Sequence, residues 1–286
     1  NWAQALEEIH IMIKDIVVNL ALGTSDPAAE YAVSVAEAFG AHLLGVAVSY
    51  EPVIPGTVMG GIPPEVIEGQ RAESNKRARA AITRFEQAAK RAGISMETRI
   101  INASVAGAAD QIGRIGRRFD LVVVGQPPRD DSMPNEVIDE GVLFESGRPV
   151  ILVPFIQKGG MNLERIMVCW DGSRAAARAV ADAMPFLKKA KQVEIVIISD
   201  KPPKKDEVPG ADLGQHLARH GLKVDVKRIT APDTDVPSTI LSYAADSSAD
   251  MIVMGGYGHS RLREFVLGGA TRGLLEAMTV PVLMSH

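Results

Sequence analysis

Short apolar runs alternate with longer amphipathic segments along the whole chain. "KDIVVNLA" precedes "SDPAAEYAVSVAEAFGA", and "ERIMVCWD" precedes "GSRAAARAVADAMPFLKKA". Runs such as "DLVVVG" and "VEIVIIS" are nearly apolar throughout. That pattern suits strands covered on both faces, as in a parallel sheet. Up to residue 154 the alternation predicts strands at 14–20, 42–49, 95–101, 120–125 and 149–154. Helices are predicted between them at 26–40, 64–93, 105–117 and 134–146. Beyond that point it predicts strands at 164–169, 192–199, 223–229, 250–254 and 280–285. The matching helices lie at 173–189, 207–221, 236–247 and 270–277. Strand, helix, strand at this spacing means a doubly wound parallel sheet with right-handed crossovers.

The order of elements is the same in both halves. "DLVVVG" at 120–125 echoes "DMIVMG" at 250–255, and "RPVILVP" at 148–154 echoes "VPVLMSH" at 280–286. The chain therefore reads as a duplication: an α/β protein of two tandem doubly wound domains. Each is a five-stranded parallel sheet with helices on both faces. The expected domains are 12–156 and 162–286, joined near "FIQKGGMN" at 155–162. The Pro- and Gly-rich stretch 50–64, "YEPVIPGTVMGGIPP", breaks the pattern. Two readings stand for it: a surface connection into a long helix, or a lid or dimer contact.

Composition narrows the function classes. The 286 residues are 46% hydrophobic and only 5% aromatic, which favours α/β layers over an aromatic-cored sandwich. A net charge of -4 provides no electrostatic footprint for nucleic acid. No apolar stretch approaches the roughly 20 residues of a membrane span. One cysteine, Cys169, excludes an intrachain disulfide framework and sits in the apolar run "RIMVCW". It reads as a buried, inert thiol in a reducing, cytoplasmic setting. The core pattern starts at "MIKDIVVNL", so residues 1–11 read as an extension or an N-terminal helix.

Candidate chemistry gathers at two predicted strand ends of the second half. Asp171 closes the first strand, and "MGGYGHSRLREFVLGGATRGLL" follows the fourth, with five glycines from Gly255 to Gly269. Ligands of open parallel sheets bind beyond the carboxyl ends of strands, where the winding reverses. A carboxylate there can accept hydrogen bonds from a base amine or a ribose hydroxyl. Glycine backbone lets phosphates approach N–H groups, and Gly268 and Gly269 precede a helix start. Each feature also has a structural reading: Asp171-Gly172-Ser173 can cap the next helix and Gly255-Gly256 can make a turn. Neither G-x-x-x-x-G-K-[ST] nor G-x-G-x-x-G after a first strand is present. His216 and His220 are four apart on a predicted helix. Without a third ligand they read as a solvated face rather than a metal site.

The actual spacing, G-x-x-G-x9-G, resembles the nucleotide loop of the universal stress protein family. The whole chain, over 12–286, resembles a tandem member of that family. The family pattern falls on Gly255, Gly258 and Gly268, with the first-strand aspartate at Asp171 and "PVLMSH" as the closing strand. The resemblance implies nucleotide contacts at Asp171, Ile198, Met254, Gly255, Gly258, His259, Gly268, Gly269, Ala270 and Thr271. It also implies ATP as ligand, with or without Mg2+, and a homodimer formed through the last-strand edges. Gly269 stands where the family has Ser or Thr, which removes a hydroxyl; Thr271 offers one two residues on. In the first half Ala21 stands in place of Asp171, and Glu136 and Val137 in place of Gly268 and Gly269. Pro127 and Pro128 fill the loop, and Asp130, Asp131, Glu136 and Asp139 would repel phosphate. Three functions remain: an ATP-binding stress or signalling module with its site in the second half; a stress protein acting through protein contacts and dimerisation; or a slow ATPase built on His259 and the nearby arginines. No catalytic residue is expected for the first two.

Overall fold

Burial on both faces explains why the apolar runs become strands, and helices pack on them through small side chains. A computed structural model describes residues 12–52, 63–126, 136–199, 210–230, 235–256 and 269–286. Residues 13–160 form one compact unit and 161–286 belong to a second. The first unit holds β1 (Asp15–Leu20), α1 (Pro27–Phe39), β2 (His42–Tyr50), α2 (Pro64–Ala92), β3 (Met96–Ala103), α3 (Val105–Gly116), β4 (Leu121–Gly125), α4 (Glu136–Ser146) and β5 (Val150–Val153). Its strands pair in parallel in the order β3-β2-β1-β4-β5. The second unit holds β6 (Arg165–Cys169), α5 (Arg174–Lys189), β7 (Gln192–Ser199), α6 (Ala211–Arg219), β8 (Val224–Thr230), α7 (Val236–Asp246), β9 (Met251–Gly255), α8 (Gly269–Ala277) and β10 (Val282–Ser285). Its order, β10-β9-β6-β7-β8, is the same winding, again all parallel.

The core follows from that order. Ile16, Val17 and Val18 of β1 and Leu121 to Val124 of β4 are wholly buried, as are Ile166 to Val168 of β6 and Met251 to Val253 of β9. The outer strands β3 and β8 are largely exposed over their first halves. Helix α1 buries Ala28, Ala29, Ala32, Ala36 and Tyr31, and α5 buries Ala175, Ala176, Ala179, Ala183 and Phe186. Alanine faces let helices sit close to the sheet. Asp26, Ser104, Ser173 and Asp235 each cap a helix through a side-chain oxygen, a contribution of about 1 kcal/mol apiece.

Register aligns the halves residue by residue. Ile16 pairs with Leu43 and Leu121; Ile166 pairs with Val193 and Met251. Counting on from these pairs puts Ala21 level with Asp171 and Gly125 level with Gly255. Over the described residues the expected elements match the observed ones to within about two residues; the helix expected at 207–221 is observed as Ala211–Arg219, and residues 207–209 of that expectation lie outside the described residues. Residues 1–11, most of the 50–64 stretch and the loop with Pro127, Pro128, Asp130 and Asp131 lie outside the described residues.

Candidate functional site

In the second unit the winding reverses between β6 and β9, which are neighbours. β6 runs on to β7 on one side, and β9 lies on the other. A crevice beyond these carboxyl ends is the ordinary ligand position of such a sheet. Four of the expected site residues lie at the ends of three strands there. Asp171 lies two residues past the end of β6, Ile198 is half-buried near the end of β7, and Met254 and Gly255 end β9. The Trp170 amide still donates to Val196 O at 2.9 Å, so the chain stays on β7 as it approaches Asp171.

Local chemistry sets the Asp171 turn. Its Oδ1 accepts from Ser173 N at 2.8 Å, and Ser173 Oγ accepts from Ala176 N at 3.1 Å. Gly172 between them has φ +76°, a left-handed conformation that costs glycine nothing. Asp171 is exposed at the start of α5, where the helix dipole favours a carboxylate. The cap reading and the ligand reading of this tripeptide are therefore compatible. Ser173 carries the cap, while one Asp171 oxygen shapes the turn.

Gly255 is glycine for steric reasons. A Cβ there would lie 2.5 Å from Ala176 N and 2.6 Å from Ala175 C, in the first turn of α5. The end of β9 thus rests on the backbone of the helix that Asp171 introduces. Beyond it, Gly256 N donates to Ser285 O at 2.9 Å, and His286 Nδ1 lies 3.2 Å from Gly256 O. Gly258, His259 and Gly268 lie outside the described residues. Gly269 and Ala270 open α8, and Thr271, in its first turn, is 5% exposed and so packed inward.

The equivalent turn of the first unit is tied shut. Asp26, the cap of α1, accepts from Ala21 N at 2.7 Å and Ala29 N at 3.0 Å. From α2, Arg84 donates to Ala21 O at 3.2 Å and Gly23 O at 2.5 Å. Burial pushes the Asp26 carboxyl up to about 6, against the lowering effect of the two amides and Arg84; Glu30 adds to the rise. No sequence spacing signalled this clamp, since Arg84 lies 63 residues from Ala21.

Other candidates sort out plainly. Cys169 is a half-buried free thiol, and burial, helped by the Asp171 carboxylate, pushes it up to about 12. It stays protonated and unreactive at neutral pH. His216 and His220 do face each other, edge to face at 4.8 Å. Among the described residues no group of three ligating side chains could hold a metal ion. No helix among them is long and apolar enough to cross a membrane.

Comparison with known proteins bears on the fold. The model of the universal stress protein family matches residues 162–286. A universal stress protein of Synechocystis is 22% identical over 171 residues, covering 58% of this chain and 57% of that one. The match thus spans little more than half of that relative. Among solved structures, a universal stress protein from Archaeoglobus fulgidus covers 96% of this chain and 97% of its own, at 18% identity and a TM-score of 0.72. A universal stress protein structure from Pseudomonas aeruginosa covers 96% and 94%, at 16% identity and a TM-score of 0.62. Both units therefore have the fold of these proteins, and the family model reaches the second.

Proposed function

We propose that this chain is a tandem universal stress protein that binds an adenine nucleotide, ATP by its loop spacing, in the second unit only. Asp171 accepts hydrogen bonds from the ligand's amine or ribose hydroxyls, and Ile198 and Met254 flank the base. Gly255 and Gly258 keep the loop backbone open. Phosphates meet the N–H groups of Gly268, Gly269, Ala270 and Thr271, with His259 as a further donor and Mg2+ as counter-ion. The observation that carries this reading is that Asp171 lies just past the end of β6 and Gly255 ends β9, neighbouring strands between which the winding reverses. In the first unit the same position holds Ala21, its amide taken by Asp26 and its carbonyl by Arg84. The first unit then serves as a structural partner, in the cytoplasm, within a dimer of chains.

The test is nucleotide release. The purified chain is denatured and the supernatant analysed by mass spectrometry; the stripped chain is then titrated with ATP by calorimetry. About one nucleotide per chain is expected. Gly258→Asp and Gly268→Asp should abolish binding, and Asp171→Ala should weaken it about 10- to 100-fold, as loss of a charged hydrogen bond does. Absence of both nucleotide and heat would overturn the proposal. That result would favour the contact-protein reading, to which the missing hydroxyl at Gly269 points. Sedimentation of the same sample reads the dimer, and phosphate release above buffer would mark a slow ATPase.

A further inference from the structure

The first unit has its own cleft, away from the tied-off turn. It opens at the carboxyl ends of β2 and β3 and has a volume of about 530 Å³, within the range of small-molecule sites. Its walls include Ser49 and Glu51 from the end of β2, Asn102 of β3, and Glu68, Arg71 and Asn75 of α2. The cleft exists because of a mismatch in length. The 29 residues of α2 span about 43 Å, against about 30 Å for the nine residues of β2. The helix therefore overhangs the strand by more than two turns. The corresponding α6 of the second unit has nine residues.

One helix face tells the two parts apart. Where α2 lies on the sheet, that face buries Ala78, Ala81, Phe85 and Ala89. In the overhang the stripe continues at helical spacing through Asn75, Arg71 and Glu68, all polar. The overhang is anchored at its base, where Tyr50 N donates to Ser74 Oγ at 2.7 Å. Asn75 Oδ1 accepts from Arg79 Nε at 2.8 Å, which leaves the Asn75 amide hydrogens as donors. Among the described residues Glu51, Glu68 and Arg71 form no ion pair, although Glu68 and Arg71 are one turn apart. Two carboxylates and a guanidinium that line one cleft without pairing match a ligand carrying both charges.

We propose that this cleft binds a small zwitterion of the amino-acid or short-peptide class. Its carboxylate lies on Arg71 and the Asn75 amide, and its ammonium lies between Glu51 and Glu68. Arginine suits a carboxylate because its planar fork can donate two parallel bonds. Ser49, 6% exposed, and Asn102 supply neutral hydrogen bonds along the floor. The inference is independent of the nucleotide reading, because the residues belong to the other unit; either can fail alone.

The experiment is an NMR titration of the 15N-labelled full chain with glycylglycine, up to about 10 mM, the affinity range a few charged hydrogen bonds provide. Saturating shifts are expected at the amides of Ser49, Glu51, Asn75 and Asn102. N-acetylated and C-amidated glycylglycine, each lacking one charge, should bind about tenfold more weakly, a loss of about 1.4 kcal/mol. Arg71→Gln and Glu68→Gln should each remove the response while leaving the remaining spectrum unchanged. No saturating shifts at these amides would overturn the proposal. So would equal binding of the amidated, purely cationic form, which would make the cleft a simple cation surface.

Discussion

Gly255 and Gly125 occupy equivalent positions, yet their side chains are missing for reasons of different strength. A Cβ on Gly255 meets backbone at 2.5 Å, whereas one on Gly125 meets the Ala28 Cβ at 3.1 Å. Gly255→Ala is expected to cost about 1–3 kcal/mol, the usual range for forced overpacking, and Gly125→Ala distinctly less. Urea midpoints of the two variants read the difference; equal costs would contradict it. Asp26 offers a pH test. Its folded value of about 6 lies above the ordinary 3.8 because burial outweighs its two amide donors. The folded state then holds the proton more tightly, so this group's contribution is full below pH 3.8 and lost as pH rises through about 6. Wild type should therefore lose stability relative to Asp26→Asn between those limits, as followed by urea unfolding at several pH values. A difference that does not vary with pH would refute the assignment.

At the scale of elements, the second unit ties β7 to α7 through a buried acid. Glu194, 7% exposed, accepts from Tyr243 OH at 2.9 Å, and Arg165 stands 3.9 Å from its other oxygen. Burial and the neighbouring Glu194 carboxylate push the Tyr243 hydroxyl up to about 12, so it remains a donor over the working pH range. Tyr243→Phe removes that donor and should cost about 1–3 kcal/mol, the penalty for leaving a buried acceptor unmade. Thermal or urea unfolding checks it, and a neutral outcome would show that water replaces the hydroxyl. Helix and strand boundaries were readable in the sequence to within about two residues, because strands covered on both faces appear as unbroken apolar runs. The consequence of α2 being longer than β2 was not readable. The 50–64 stretch, expected as a surface connection or as a lid or dimer contact, lies mostly outside the described residues, and its Glu51 lines the cleft.

For the whole molecule, duplication of the fold does not mean duplication of the site. The two units share strand order and register, and they differ at the turn after the first strand. Restoring the carboxylate by Ala21→Asp should therefore not create a second nucleotide site. Arg84 and Asp26 still occupy the polar groups of that turn, so under the proposed nucleotide reading the ATP stoichiometry by calorimetry should remain about one per chain. A rise to two would mean that the clamp gives way to ligand.

The sequence by itself determined the α/β class, the repeated element order, and the positions of Asp171 just past β6 and Gly255 at the end of β9. These depend on local periodicity and on the rule that parallel strands deliver their ends to one side. Tertiary structure alone decided that the first turn is closed, that Gly255 rests on a helix backbone, and that a polar cleft flanks β2. The groups concerned lie far apart in the chain: Arg84 is 61 residues from Gly23, and Tyr243 is 49 from Glu194. No periodicity records a contact of that span; it exists only once the sheet has brought the segments side by side.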